Sequence, residues 1–169
     1  MGWRQEIGAT LRPEALVRGV ARGWPLFAIA LTMIGIDQLT KYLIRANMDL
    51  GQSIPAEGWV RLTYVTNTGG AFGILTNQTF LLTVSAIVGA VIIFLSLSYL
   101  PLKAWTLKLG LGLVLAGSLG NLVDRVRFGQ VTDFIDVGAW PVFNVADSST
   151  VVGTILIVFY LLFQIRKQA

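Results

Sequence analysis

The chain has 169 residues, of which 54% are hydrophobic and 13% charged, with a mean hydropathy of +0.70 and a net charge of +4. A water-soluble domain carries about 25% charged residues, so this chain has too little polar surface to cover itself in water, and a bilayer is its natural solvent. It contains no Cys and no His, which excludes disulfides, the usual zinc sites, and Ser-His-Asp or Cys-His catalysis.

Residues 1–23 form a basic arm with Arg4, Arg12, Arg18 and Arg22, and its Trp3, Ile7 and Leu11 suit it to the inner membrane surface. The first apolar segment runs from Trp24 to Ile44, about the ~20 residues that cross a bilayer as a helix. The arm followed by Trp24 to Ile36 has the outline of a signal peptide. The cleavage-like Ala28-Ile29-Ala30 lies inside the apolar run, however, and Asp37 to Ile44 continues the helix, so a retained span is expected. Asp37 and Lys41 share a face of this helix in its outer third. Ionisable groups in a span face the bundle interior, so they are read either as an ion pair that fixes packing or as shapers of a site.

Trp59 to Thr66 is rich in β-branched and aromatic residues and reads as a strand, followed by a turn at Asn67-Thr68-Gly69-Gly70. The second apolar segment is Phe80 to Leu100 and the third is Trp105 to Val126. Gly112, Ala116 and Gly120 in the third segment have the spacing that lets helices approach closely in lipid. Its outer end carries Asn121 and Asp124 on one face. Taken alone, Asp124 is explained by pairing with Arg125, Arg127 or a neighbouring helix. Val131 to Val137 is extended and carries Asp133 and Asp136. The fourth segment runs from Ser148 to Ile165, and Asp147 at its start is explained locally as a helix cap.

Arg4, Arg12, Arg18, Arg22, Lys103, Lys108, Arg166 and Lys167 fall at the two termini and the short middle turn, which places those parts in the cytoplasm. The other two loops carry Asp49, Glu57, Asp133, Asp136 and Asp147 beside their Arg residues, and face outward. The expected fold is an all-α integral membrane protein with four transmembrane helices and a small extracytoplasmic β-sheet. Residues 24–169 would form a single four-helix membrane domain behind the 1–23 cytoplasmic arm. The placement of the basic residues speaks for membrane orientation and against nucleic acid.

Several carboxylates therefore meet Asn67, Asn121 and Asn144 at one membrane depth. From spacing alone, both Asp124 and Asp133 remain candidate partners for Asp147. Five blocks carry a more specific signal: Asp37-Gln38-Leu39-Thr40-Lys41, Asn67-Thr68-Gly69-Gly70-Ala71-Phe72, Gly120-Asn121-Leu122-Val123-Asp124-Arg125, Val131-Thr132-Asp133-Phe134-Ile135-Asp136 and Phe143-Asn144-Val145-Ala146-Asp147-Ser148. In this order they resemble the signature of the signal peptidase II family over nearly everything after residue 24. The family more often has Ala where Gly70 stands, and the basic arm is longer than usual.

The resemblance implies an aspartic endopeptidase of a bacterial cytoplasmic membrane. Such an enzyme cuts diacylglyceryl-modified prolipoproteins just before the lipidated Cys, at the outer face. By matching blocks, Asp133 and Asp147 would be the catalytic pair, with Asn67, Asn121, Arg125 and Asn144 contacting substrate. Asp37, Lys41 and Asp124 would give structural support, with Asp124 tied to Arg125. No cofactor and no metal is expected, and the partners would be prolipoprotein and membrane lipid, the enzyme being a monomer. The rival readings are a small transporter coupled through Asp37 and Lys41, and a Ser/Lys protease using Ser148 or Ser118 with Lys41.

Overall fold

The computed structural model describes residues 13–68, 79–96 and 104–168. In chain order these form α1 (Pro13–Asn47), β1 (Ser53–Ile54), β2 (Arg61–Asn67), α2 (Thr79–Ser96), α3 (Trp105–Phe128), β3 (Val131–Asp136) and α4 (Val145–Gln168). Three stretches, Val20–Asn47, Trp105–Phe128 and Val145–Phe163, are long and apolar enough to cross a membrane. The apolar part of α2, Leu82–Leu95, is shorter, and the rest of the expected second span, 97–100, lies outside the described residues. So do Gly69 and Gly70 of the expected turn and the first twelve residues of the arm. From Pro13 on, the arm is the start of α1 and is continuous with the first span.

Helix α3 is the centre of the bundle and packs against each of the other three helices. Of its most apolar stretch 56% is buried, against 22% for α1 and 17% for α4. The core joins Leu26 and Ala30 of α1 to Leu107, Leu111, Leu115 and Ala116 of α3. The small residues foreseen in α3 are where the helices touch. A Cβ added at Gly112 would stand 2.9 Å from the Leu26 carbonyl oxygen of α1. A Cβ at Gly117 would collide with Thr150 and the Ala146 carbonyl of α4. Outward-facing Leu31, Ile87, Ile92, Ile155 and Leu162 are all exposed, as expected of side chains solvated by lipid.

The sheet closes one end of this bundle in the antiparallel order β1-β2-β3. The expected strands at 59–66 and 131–137 are present as β2 and β3, each shifted by a residue or two, and β1 was not foreseen. Gly129 ends α3 in the left-handed conformation at φ 72°, with its N–H on the Arg125 carbonyl. That cap lets β3 begin only two residues further on. Val65 pairs with Asp133 across the strands, and Asn67 pairs with Val131. Asp136 fastens the sheet: its Oδ2 accepts from Arg61 Nη2 at 2.6 Å and Thr63 Oγ1 at 2.8 Å, and its Oδ1 accepts from the Gly138 N–H at 2.9 Å.

Candidate active site

Beneath the sheet, α1 and α3 meet through charge. Asp37, Lys41 and Asp124 are essentially inaccessible. Lys41 Nζ lies 3.0 Å from Asp37 Oδ2, 3.3 Å from Asp124 Oδ2 and 2.9 Å from Asn121 Oδ1. An ammonium has three N–H donors, and all are engaged. The second carboxylate charge is met by Arg45, 3.8 Å from Asp124 Oδ1. Gln38 Nε2 reaches Asp37, Asp124 and the Gly120 carbonyl, each at 3.1 Å. Asp37 Oδ1 also accepts the Ala146 N–H of α4 at 2.9 Å, and Asp124 Oδ2 accepts the Thr132 N–H of β3 at 3.0 Å. One buried cluster therefore ties α1, α3, α4 and β3 together. The expected tie of Asp124 to Arg125 gives way to Lys41 and Arg45, because adjacent residues on a helix do not face each other.

Asn121 passes this order outward. Lys41 can only donate, so the amide oxygen of Asn121 faces it, and Nδ2 is directed at Asp147 Oδ1, 2.8 Å away. The start of α4 differs from the local expectation. Asn144 is the cap, its Oδ1 accepting the Asp147 N–H at 2.9 Å, while Asp147 Oδ2 accepts the Asn144 N–H at 3.2 Å. This reciprocal box begins the helix at Val145 rather than Ser148 and holds the Asp147 carboxylate at a helix N-terminus, where negative charge is favoured.

Asp133, on β3, is the other arm of the arrangement. Its Oδ1 accepts from Asn144 Nδ2 at 2.6 Å and its Oδ2 from Asn67 Nδ2 at 3.0 Å. Burial pushes its pKa up to about 7, and the nearby Asp147 charge pushes the same way, against the Asn67 and Asn144 hydrogen bonds. Asp136, only three residues on, is held below the ordinary carboxylate range by the Gly138 N–H, the Thr63 hydroxyl and Arg61. These two acids of one strand thus have opposite characters.

A cavity of about 870 Å³ opens beside both carboxylates. Its lining includes Asp133, Asp147, Asn67, Asn121 and Arg125, with Trp140 and Phe143 on an apolar wall. Five of the expected site residues are thereby brought to one surface. Asn144 is fully buried beneath it instead of lining the wall, its Nδ2 donating to the Asp133 carboxylate and its backbone N–H to the Asp147 carboxylate. Asp37, Lys41 and Asp124 stand behind. Gln38 was not singled out from the sequence, although a polar amide inside a span is itself a signal. The Ser/Lys alternative finds no support in the geometry: Lys41 is enclosed and fully paired, and Ser148 Oγ donates to the Asn144 carbonyl at 3.0 Å.

Residues 29–163 match the model of the family described as signal peptidase (SPase) II. The chain is 45% identical to the lipoprotein signal peptidase of Moorella thermoacetica over 145 residues, covering 85% of this chain and 97% of that one. It is 42% identical to the lipoprotein signal peptidase of Enterococcus faecalis over 142 residues, covering 80% and 86%. A bacterial membrane enzyme solved by the in meso method at 2.3 Å superposes with a TM-score of 0.80 at 32% identity, covering 86% of this chain and 92% of that one. A second, solved by the same method at 1.9 Å, gives 0.74 at 33% identity, covering 82% and 92%.

Proposed function

The chain belongs to the signal peptidase II family, and from that premise we propose that it is an aspartic endopeptidase with Asp133 and Asp147 as its catalytic pair. Its substrates are diacylglyceryl-modified prolipoproteins, cut just before the lipidated Cys. The observation that carries this reading is that Asp133 and Asp147 line one cavity while a single buried side chain, Asn144, hydrogen-bonds to both residues.

In the resting enzyme Asp147 is the ionised partner and Asp133 carries the shared proton. Asp147 accepts two N–H donors at a helix start, whereas burial favours the neutral form of Asp133. Asp147 takes a proton from water as the water oxygen attacks the scissile carbonyl carbon, and Asp133 gives its proton to the carbonyl oxygen. The gem-diol then collapses. The proton on Asp147 passes to the leaving nitrogen, the C–N bond breaks, and Asp133 recovers a proton from a diol hydroxyl. Asn67, Asn121 and Arg125 on the cavity wall offer donors to the substrate backbone, whose polar groups need partners in a poorly hydrated place. Asn144, lying beneath the wall, positions the pair.

The working topology has four spans, the second being the apolar segment from Phe80 to Leu100, with both termini cytoplasmic and the cavity near the outer surface of a bacterial cytoplasmic membrane. The enzyme acts as a monomer. The direct test is incubation of the purified protein with a diacylated prolipoprotein, read as a mobility shift on a gel. A transporter built on the same scaffold would instead move solute in liposomes and leave the prolipoprotein uncut.

A further inference from the structure

A second cavity, of about 580 Å³, lies on another face and shares no lining residue with the first. It is bounded by Gln38, Leu39, Tyr42, Arg45, Ala46, Arg127 and Phe128. Two guanidinium groups each lie against the Phe128 ring there, Arg45 Cζ at 4.6 Å and Arg127 Cζ at 5.4 Å from its centroid. Two guanidinium groups held against one ring concentrate positive charge at the cavity, which a bound anion would offset. Arg45 is tethered, donating to Thr132 Oγ1 at 2.9 Å and lying 3.8 Å from Asp124. Arg127 has no carboxylate within 4.0 Å among the described residues. Both arginines stand in the last turns of α1 and α3, at the boundary between the spans and the sheet. Below them the wall continues into Leu39 and Tyr42, which are 58% and 61% exposed, and then Ile36. A cationic pair at the polar boundary above an exposed apolar track matches a phospholipid, with its phosphate at the top and an acyl chain below.

We propose that the cavity between the ends of α1 and α3 binds an anionic phospholipid, its phosphate held by Arg127 and Arg45 and its acyl chain lying along Leu39 and Tyr42. The guanidinium fork suits phosphate oxygens. Phe128 keeps the two heads in place, and the Thr132 contact fixes Arg45 before the lipid arrives.

Native mass spectrometry of the purified full chain in detergent tests this, with phosphatidylglycerol and phosphatidylcholine of equal chain length as probes. Wild type should bind phosphatidylglycerol about tenfold more tightly, as a charge-assisted contact implies. Arg127→Gln should lose most of that preference while cutting prolipoprotein at the wild-type rate in the same detergent. Equal binding of the two lipids by wild type overturns the proposal without recourse to any variant. So does an unchanged preference in folded Arg127→Gln. Inorganic phosphate in excess should leave the bound lipid in place; its displacement would assign the cavity to a free anion and overturn the lipid site. The lipid readout is independent of peptide cleavage, so it stands or falls separately from the proteolytic reading.

Discussion

Lys41 Nζ donates to Asn121 Oδ1 at 2.9 Å, and this contact decides which end of the Asn121 amide faces Asp147. A residue without access to the cavity therefore orients one that lines it. Asn121→Asp separates packing from positioning. Lys41 pairs with the new carboxylate, so the fold persists, but Asp147 loses a donor and gains a like charge. The expected outcome is a melting temperature close to wild type and kcat lowered about tenfold or more. Lys41→Met, by contrast, leaves Asp37 and Asp124 buried with their main cation gone. A loss of about 3–5 kcal/mol of stability is expected, read by thermal unfolding in detergent. A Lys41→Met protein as stable as wild type would contradict this account of the cluster.

The raised pKa of Asp133 sets the pH dependence. The folded protein holds a proton there up to about pH 7, whereas an ordinary carboxylate near 3.8 has lost it. Between those values the folded state binds the extra proton, so this group's contribution to stability declines as pH rises and levels off above about 7. In the proposed mechanism cleavage uses the same proton, so kcat should fall as pH rises through that region. The Asn67 donor favours the ionised form. Asn67→Ala should therefore move the alkaline limb of the profile upward while lowering turnover, measured as kcat against pH. A limb that stayed in place or moved down would count against Asp133 as the acid.

Close helix contact makes its own prediction. A Cβ at Gly120 would stand 2.7 Å from Asp37 Oδ2 and 3.2 Å from the Ala146 Cβ, whereas one at Gly35 meets nothing within 4 Å. Gly120→Ala should cost about 1–3 kcal/mol and disturb the buried cluster. Gly35→Ala should be neutral or slightly stabilising, since Ala is the better helix former. Paired thermal melts check both, and equal melts would contradict the packing described at α3.

Much of this was legible in the sequence because polar side chains are conspicuous in apolar spans. Asp37, Lys41, Asn121 and Asp124 stand out for that reason, and the β-branched runs of β2 and β3 mark the sheet. What escaped depends on contacts made across the fold. β1, at Ser53–Ile54, is too short to show a period. Asn144 resembled a substrate contact until its burial placed it beneath the cavity. Asp147 looked like a cap, and only the paired bonds with Asn144 show which residue is the cap and which is the third helical position. Of the partners open to Asp124, the neighbouring helix supplies the cations, Lys41 and Arg45, and the tie to Arg125 implied by the family resemblance fails because adjacent residues lie on different helix faces.

The proposed topology is checked by reporter fusions. Fusions after Lys103 and at the C-terminus should report the cytoplasm, and one near Gly51 the outside. An outward C-terminus would remove the four-span arrangement and the outer position of the cavity.

The most direct measurement of the central claim compares three folded, purified variants on a diacylated prolipoprotein. Asp133→Asn and Asp147→Asn should each lower cleavage by at least about 100-fold, the scale of a lost general acid or base, with melting temperatures near wild type. Asp124→Asn, whose carboxylate serves Lys41, Gln38 and Thr132, should chiefly lower the melting temperature. Substantial turnover by Asp133→Asn, with folded Asp124→Asn inactive, would contradict the account and move the pair to Asp124 and Asp147.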